Sequence, residues 1–309
     1  MRAYLLWLAG WTVAVSLVIA AASYVGLRYN LSDLRESDLY EYQLAKIAAA
    51  GPVSTVFVGD SSLGTGIDAH YWAILDGRSA TNLALIGPFG FAGSYNMIRR
   101  QLEVSRPDVI VIMQTPDMMT RRIEYEGILV TSLHFSEMLE IPLAAWARML
   151  LNSDIPLGVA RRMLRMPPDY GLQEIDFARQ GPPLDMAERR AKVQRKQYTP
   201  QSIRPGKDHY LRSIADLCRR EKLTCLYAHG PWYEPFCRQS PDYLAAVNET
   251  IRAAGLVVVD GTPFCATDDE LGDSFEHVRL EVKRHVTEYY WRLIRAAVPV
   301  VADRTGPRS

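Results

Sequence analysis

The chain has 309 residues, which is enough for one large domain or two small ones. Its composition, 48% hydrophobic and 23% charged, is that of a globular protein able to bury a sizeable core. The formal net charge is zero, which argues against a protein that binds nucleic acid through a broad basic face.

An apolar stretch without charged residues, Ala3 to Leu27, opens the chain. At about 1.5 Å per helical residue it is long enough to cross a hydrocarbon core of about 30 Å. A cleavable signal peptide is the alternative, because Ala20-Ala21-Ala22 suits a signal peptidase, but the stretch exceeds the usual apolar region of about 7 to 15 residues. We therefore predict a membrane anchor, or an uncleaved signal, over 1–28 and a helical linker over 29–50.

All four cysteines lie in the last third of the chain. An even number downstream of an export-type segment indicates disulfides, although four unrelated small hydrophobic residues in a cytoplasmic protein are the alternative. Cys218 and Cys225 flank a short turn, so that they are plausible partners, which would leave Cys237 and Cys265; the sequence alone permits three connectivities. There is no short Cys-x-x-Cys pair, and we predict neither a metal nor a cofactor. The globular part is expected in a bacterial periplasm.

Continuous apolar runs, separated by helical patterns, predict the strands of a sheet. Their alternation with helices indicates βαβ units and a parallel sheet, and so an α/β domain over 51–300. Right-handed crossovers bring the carboxyl ends of such strands to one edge, where open α/β sheets bind ligands. The predicted strands are 53–58, 81–88, 109–113, 223–228 and 256–260.

A long irregular region, from about 118 to 207, interrupts this domain. Its first half contains apolar helical segments around 138–151, and its second half, 179–207, holds eight Lys or Arg residues against Asp185 and Glu188. Such a length is typical of a lid, a binding loop or a disordered insertion. We interpret the basic bias as a solvated surface, with attraction of an anionic polymer or lipid headgroups as the alternative. The tail, 301–309, is expected to fray.

The turn after the first strand, Gly59-Asp60-Ser61-Ser62, combines a glycine that permits a tight turn with small hydroxyl side chains. Ser61 lies at the carboxyl end of that strand, close to a helix start, and is the candidate nucleophile; an ordinary helix N-cap is the alternative. The candidate base is His277, in the polar loop Leu271–Val278, where an upstream carboxylate can orient the imidazole. A surface histidine beside an N-cap is the alternative here.

Together with Asn82-Leu83-Ala84 and Gly87 in the next strand-to-helix turn, these motifs resemble the SGNH or GDSL hydrolase superfamily over roughly 53–297. The N-terminal stretch and the Asn-Leu-Ala motif also resemble the membrane-anchored branch of alginate-type polysaccharide O-acetyltransferase proteins. The resemblance implies a three-layer α/β/α fold of the SGNH or flavodoxin-like kind. It further implies Ser61 as nucleophile, His277 as general base and acid, and the backbone N–H groups of Ser61 and Gly87 as oxyanion donors.

The chain departs from the family pattern in two places. Where the family supplies an asparagine amide after the third strand, the turn at 114–117 reads Gln-Thr-Pro-Asp, so that the third oxyanion donor is Gln114 or Thr115, or is absent. The family places an aspartate three residues before the histidine, where this chain has a serine. We predict Asp273, one residue further away, as the acid, with the adjacent Glu276 as the alternative.

The substrate cleft is predicted to contain Asp60, Asn82, His229 and Trp232, with aromatic rings stacked on a sugar or, alternatively, simply covering the end of the sheet. The expected activity is that of an exported serine esterase or O-acyltransferase that acts on acyl groups, O-acetyl above all, of a carbohydrate or polysaccharide. An inactive scaffold or polysaccharide-binding component of an export complex is the alternative, and an unrelated α/β binding protein is a third. Expected partners are the carbohydrate, the membrane through the N-terminal helix and other envelope proteins, but not nucleic acid.

Overall fold

The computed structural model describes residues 2–28, 35–122, 125–139, 141–150, 177 and 180–305. The first part of the predicted linker, 29–34, lies outside the described residues, as does much of the predicted insertion, chiefly 151–176. The last part of the predicted tail, 306–309, lies outside them as well.

A five-stranded parallel sheet forms the centre of the molecule, which confirms the predicted α/β class. Its strand order is β2-β1-β3-β4-β6, and two further strands, β5 and β7, pair with each other in a separate parallel ladder. The strands are β1 (Thr55–Gly59), β2 (Ala80–Ala84), β3 (Val109–Gln114), β4 (Thr224–His229), β5 (Trp232–Tyr233), β6 (Val257–Val258) and β7 (Cys265–Ala266).

Helices account for most of the remaining described chain. They are α1 (Arg2–Arg28), α2 (Arg35–Ala50), α3 (Ser61–Gly66), α4 (Ala69–Asp76), α5 (Gly90–Val104), α6 (Tyr125–Thr131), α7 (Phe135–Met138), α8 (Leu143–Leu150), α9 (Met186–Arg195), α10 (Asp208–Arg220), α11 (Glu234–Gln239), α12 (Pro241–Ala253) and α13 (Lys283–Thr305). Short 3-10 helices occur at Gly87–Phe89, Pro116–Thr120, Pro200–Ser202 and Leu280–Val282.

Two groups of helices pack against the sheet. α5 packs on α10 and α10 on α12, whereas α13 packs on α3 and α4. The strands β1, β3 and β4 are buried at every position, as their continuous apolar sequences require for strands that are covered on both faces. One such contact is the edge of Trp72, in α4, against the ring of Phe57, in β1, with ring centroids 4.7 Å apart.

The strand order places a topological switch point between β1 and β3. The chain leaves β1 toward the sheet edge at β2 and then returns across β1 to β3. In doubly wound sheets of this order, ligands bind at the carboxyl ends of the two strands at the switch point. Here β1 is followed by Asp60 and Ser61, and β3 is followed by Thr115.

Two predictions about the chain termini need correction. The expected membrane span at the N-terminus lacks support, because no helix in the part of the chain that the structure describes is both long enough and apolar enough to cross a bilayer. The tail is expected to fray from 301, but the helix α13 continues to Thr305. Before this helix, the chain forms an antiparallel bridge between Leu271 and Val278 and the 3-10 helix Leu280–Val282.

The four cysteines form two disulfides, Cys218–Cys225 and Cys237–Cys265, which confirms the pairing that the sequence made plausible. The first joins the end of α10 to β4, and the second joins α11 to β7. The second therefore fixes the segment that leads from the sheet to the loop carrying His277.

The two disulfides should contribute unequally to stability. The loops that they close span 28 residues for Cys237–Cys265 and 7 for Cys218–Cys225. A longer loop loses more entropy in the unfolded chain, so removal of the two bridges is expected to cost on the order of 4 and 2 kcal/mol, respectively. Urea unfolding of the Cys237→Ser/Cys265→Ser and Cys218→Ser/Cys225→Ser proteins measures this difference. An equal or inverted order of the two losses would contradict the prediction.

Candidate active site

Ser61 is the first residue of α3, directly after β1 and the buried Asp60. Asp60 caps the helix: its Oδ1 accepts hydrogen bonds from the N–H of Ser62 at 3.0 Å and from Ser62 Oγ at 2.5 Å. The hydroxyl of Ser61, in contrast, makes no hydrogen bond to any described residue, and its side chain is only half-buried. The N-cap therefore engages the hydroxyl of Ser62, whereas the hydroxyl of Ser61 stays available.

Asp60 belongs to the framework of the site rather than to a substrate-contacting surface. Its second oxygen, Oδ2, accepts a hydrogen bond from the N–H of Thr115 at 2.9 Å. Burial raises the pKa of Asp60 above its ordinary value, although Arg121 and the hydrogen bonds from Ser62 and Thr115 act in the opposite direction. Asp60 is 1% exposed and both of its oxygens accept hydrogen bonds from the protein, which does not favour the predicted contact with substrate.

His277 is oriented by the predicted acid. Its Nδ1 lies 2.8 Å from Asp273 Oδ1, and the N–H of Gly181 donates to Asp273 Oδ2 at 2.9 Å. Burial alone would raise the pKa of Asp273, but the hydrogen bond and charge of His277 and the N–H of Gly181 lower it below its ordinary value. The carboxylate accepts, so Nδ1 carries the proton and Nε2 carries the lone pair. This Nε2 is buried and has no hydrogen-bond partner among the described residues.

The loop that carries His277 is held on two sides. Within the loop, the N–H of Gly272 donates to the carbonyl of His277 at 2.7 Å, beside the bridge between Leu271 and Val278. From outside, the end of the insertion crosses it, since Gln180 Nε2 donates to the carbonyl of Val278 at 2.6 Å. A Cβ atom on Gly64, in α3, would meet the ring of Phe177. The insertion therefore contacts both the Ser61 helix and the His277 loop.

Arg121 binds the turn after β3 to the loop that carries His277, and its charge also acts on Asp60, the neighbour of Ser61. Arg121 Nη2 donates to Glu276 Oε1 at 2.7 Å and lies 2.9 Å from Asp117 Oδ1. Asp60, the neighbour of Ser61, is close enough to Glu276, the neighbour of His277, for the charge on Glu276 to raise the pKa of Asp60. Glu276 is thus bound to an arginine and does not take the place of Asp273 behind the imidazole.

Two backbone N–H groups are available as oxyanion donors. Ser61 begins α3 and Gly87 begins the 3-10 helix Gly87–Phe89, so neither N–H has an acceptor within its own helix. The two residues predicted as third donor are differently placed. Gln114 Nε2 donates to the carbonyl of Gly90 at 3.2 Å and to Ser94 Oγ at 2.8 Å, so that this amide is committed. The N–H of Thr115 is bound to Asp60, and its hydroxyl is buried and has no partner among the residues that the structure describes.

The other three residues predicted to line the substrate cleft all make contacts within the protein, and Asn82 also lines a surface cavity. Asn82 Nδ2 donates to the carbonyls of Leu63 and Ile67, at 3.2 and 2.9 Å, and so fixes α3 on β2. His229 is fully buried, with Nε2 2.7 Å from Asn248 Oδ1. Trp232 is 1% exposed and belongs to an aromatic cluster, so it covers the sheet end and presents no face for a sugar. The other rings of this cluster are Tyr198, Phe236 and Tyr243.

The basic segment is only partly a solvated surface. Arg189, in α9, is 2% exposed and donates to the carbonyl of Asp268 at 2.7 Å. Lys192 lies over the ring of Phe275, with Nζ 4.4 Å from the ring centroid. Lys196 Nζ is 3.2 Å from Asp117 Oδ2. Three of its cations therefore bind the chain around the candidate site, which the count of charges could not reveal.

Sequence reasoning missed Arg121 and Gly181. The spacing of Asp117 and Arg121, four residues apart, is a recognised signal for an ion pair. No local pattern indicates that the same guanidinium reaches Glu276, 155 positions away. The N–H that Gly181 gives to Asp273 carries no sequence signal at all.

No family model, curated protein or solved structure matches this chain. The resemblance to the SGNH or GDSL superfamily therefore stays a prediction from the motifs. Within the described ranges, no group of three or more His, Cys, Asp or Glu residues is arranged to hold a metal ion.

The buried His229 should make stability depend on pH. Burial, with a smaller contribution from the charge of Arg252, lowers the pKa of His229 from 6.5 to about 4. Between these values the unfolded chain binds a proton that the folded protein does not, so stability is complete above pH 6.5 and falls as the pH drops. The full effect is about 3 kcal/mol, of which about 2 kcal/mol should be lost by about pH 5. Urea denaturation at several pH values measures it.

A matched pair of variants isolates this contribution. His229→Gln, which keeps a donor toward Asn248, should have a shallower dependence on pH than the unmodified protein. His70→Gln, at an exposed position, should keep the original dependence. The same pH dependence in both variants would show that His229 is not the responsible group.

Proposed function

We propose that the protein is a serine esterase or O-acyltransferase that works through an acyl-Ser61 intermediate. The observation that carries the proposal is His277, whose Nδ1 is bound to Asp273 while its buried Nε2 has no partner in the described chain. An unsatisfied buried acceptor is costly, about 1–3 kcal/mol, and in native proteins it calls for an explanation. The buried Nδ1 of His229 also has no partner in the described chain, but of these two histidines it is His277 that has a carboxylate behind its ring. A general base that accepts the hydroxyl proton of Ser61 explains this arrangement at His277.

The proposed chemistry uses the groups already described. Ser61 Oγ attacks the acyl carbon, His277 Nε2 takes the hydroxyl proton, and Asp273 stabilises the imidazolium. The carbonyl oxygen becomes an oxyanion that the N–H groups of Ser61 and Gly87 bind. His277 then returns the proton to the leaving alcohol, and water or a sugar hydroxyl releases the acyl group in a second, equivalent step.

The proposed substrate and location rest on two further features of the chain. The motif resemblance favours O-acetyl groups on a carbohydrate or polysaccharide as the acyl substrate. The two disulfides are compatible with a periplasmic or extracellular location, because disulfides persist in oxidising compartments. We therefore propose an exported enzyme that acts on an envelope or secreted polysaccharide.

A non-catalytic scaffold or polysaccharide-binding component is the second candidate. It is favoured by the third oxyanion position, since Gln114 is committed to Gly90 and Ser94 and the amide of the family pattern is lacking. The loss of one donor typically costs about 10²- to 10³-fold in kcat, which slows the chemistry but does not abolish it. Activity measurements decide between the two candidates.

Incubation of the full-length protein with p-nitrophenyl acetate should acetylate Ser61 and release p-nitrophenol. Mass spectrometry of the peptide that contains Ser61 detects the acetyl group, and absorbance follows turnover. Ser61→Ala should eliminate both signals, and Asp273→Asn should reduce turnover by about 10³- to 10⁴-fold, because it removes the acceptor that orients His277.

The control for this experiment is His70→Gln, an exposed histidine outside the site, which should keep both signals. Addition of a sugar acceptor separates the two activities, since a transferase gives acetylated sugar whereas an esterase gives acetate. Turnover that survives in Ser61→Ala, or its complete absence from the unmodified protein, would leave the scaffold as the better description.

A further inference from the structure

The turn after β3 offers no uncommitted side-chain amide as a third oxyanion donor. The proposed acyl transfer needs donors around a single oxygen, and two backbone N–H groups, those of Ser61 and Gly87, are available. Gln114 cannot provide a third donor, because its amide nitrogen already donates to the carbonyl of Gly90 and to Ser94 Oγ. The N–H of Thr115 donates to Asp60 Oδ2. The hydroxyl of Thr115 is buried and has no partner among the described residues, so it is one candidate for a third donor, and a residue near Gly87 is the other.

Arg121 lies directly against Gly87. A Cβ atom added to Gly87 would overlap Arg121 Nη1, so the guanidinium occupies the space that any larger residue at this position would need. The absence of a side chain at Gly87 thus serves two purposes: it exposes the backbone N–H and it admits the arginine. No sequence pattern around Gly87 indicated this neighbour.

Two of the three nitrogen atoms of the Arg121 guanidinium are bound to carboxylates of the described chain, and the third, Nη1, is not. Nε donates to Asp117 Oδ1 at 3.1 Å, and Nη2 donates to Glu276 Oε1 at 2.7 Å. Nη1 has no hydrogen-bond partner in the described part of the chain. A planar guanidinium held by two carboxylates cannot rotate freely, so the direction of the remaining N–H groups is preorganised.

We propose that Arg121 Nη1 is the third oxyanion donor, in place of the side-chain amide that the β3 turn does not supply. The inference rests on the proposed function. When Ser61 Oγ bonds to the acyl carbon, the electron pair of the carbonyl π bond moves to the oxygen, and Nη1–H stabilises that charge beside the N–H of Gly87. The proton of the serine goes to His277, and none leaves Arg121.

The charge of Arg121 suits this role. Burial opposes the charged form, but Asp117 and Glu276 raise the pKa of Arg121 above its ordinary value, so the guanidinium remains charged. Its side chain is 28% exposed, and hydrogen bonds of charged donors are strongest where water is partly excluded.

A purely positioning role is the competing explanation. Through Glu276, Arg121 also ties the turn after β3 to the loop that carries His277. An arginine that only held this loop would act on the base, and its removal would be matched by removal of Glu276. The two roles therefore predict different results for Glu276→Gln.

The test measures kcat, KM and inhibition by phenylboronic acid, which forms a tetrahedral anion on an active serine, in the full-length protein. Arg121→Ala is expected to lower kcat by about 10²- to 10³-fold with KM within about threefold, and to weaken the boronate by a similar factor. Added guanidinium ion should restore part of kcat in Arg121→Ala. Arg121→Lys, which cannot keep both carboxylates and Nη1 in place, should stay below the unmodified protein.

Lys196→Ala is the matched control, since Lys196 also pairs with Asp117 but not with Glu276, and it should keep kcat within about threefold. Thermal unfolding checks that each variant is folded; if Arg121→Ala is not, Arg121→Lys and Glu276→Gln carry the comparison. A full loss in Glu276→Gln, an equal loss in Thr115→Val, or normal kcat in folded Arg121 variants of an active enzyme would overturn the inference alone. An unmodified protein that neither acetylates Ser61 nor turns over ester would overturn the proposed function as well.

Discussion

The buried carboxyl group of Asp60 is the constraint on which the arrangement of the site depends. It lies between the carboxyl ends of β1 and β3 and is bound by Ser62 on one side and by the N–H of Thr115 on the other. A desolvated carboxyl group is costly unless all of its oxygens have partners, so these contacts must form together. They cap α3, which sets the position of Ser61, and they hold the turn from which the 3-10 helix and Arg121 continue.

A second set of contacts positions the base, and most of it comes from distant parts of the chain. Asp273 and His277 face each other within a loop closed by the Leu271–Val278 bridge. That loop is bound by Gly181 and Gln180 from the insertion and by Arg121 from the β3 turn. The imidazole is thus held by its own loop, by the insertion and by the turn, which are separate elements that all depend on the same sheet edge. An insertion that looked like an appendage in the sequence is therefore part of the site.

The sheet could be predicted, because a parallel strand covered on both faces leaves a continuous apolar run, as in Val109–Met113, and helices leave their own period between such runs. The sequence also indicated that Ser61 follows the first strand and that Asp273 lies close to His277 in a polar loop, and the structure places them so. Which polar groups are buried could not be predicted from the sequence. His229 ends β4 and Asn82 lies within β2, yet Nε2 of His229 and the amide of Asn82 are both bound internally. Their partners, such as Asn248 and the carbonyl of Ile67, are defined only by the folded chain.

The two histidines at this edge show how hydrogen-bond partners separate a base from a structural residue. His229 donates Nε2–H to Asn248 Oδ1, since the amide nitrogen of Asn248 is itself bound to the carbonyl of Gly261. A neutral amide offers no charge to stabilise an imidazolium, and burial then keeps the ring neutral. His277 instead faces a carboxylate, which orients the ring and stabilises the proton that catalysis would place on it. Position at the sheet edge is therefore not sufficient for catalysis, and the group behind the ring decides which of the two histidines can serve as a base.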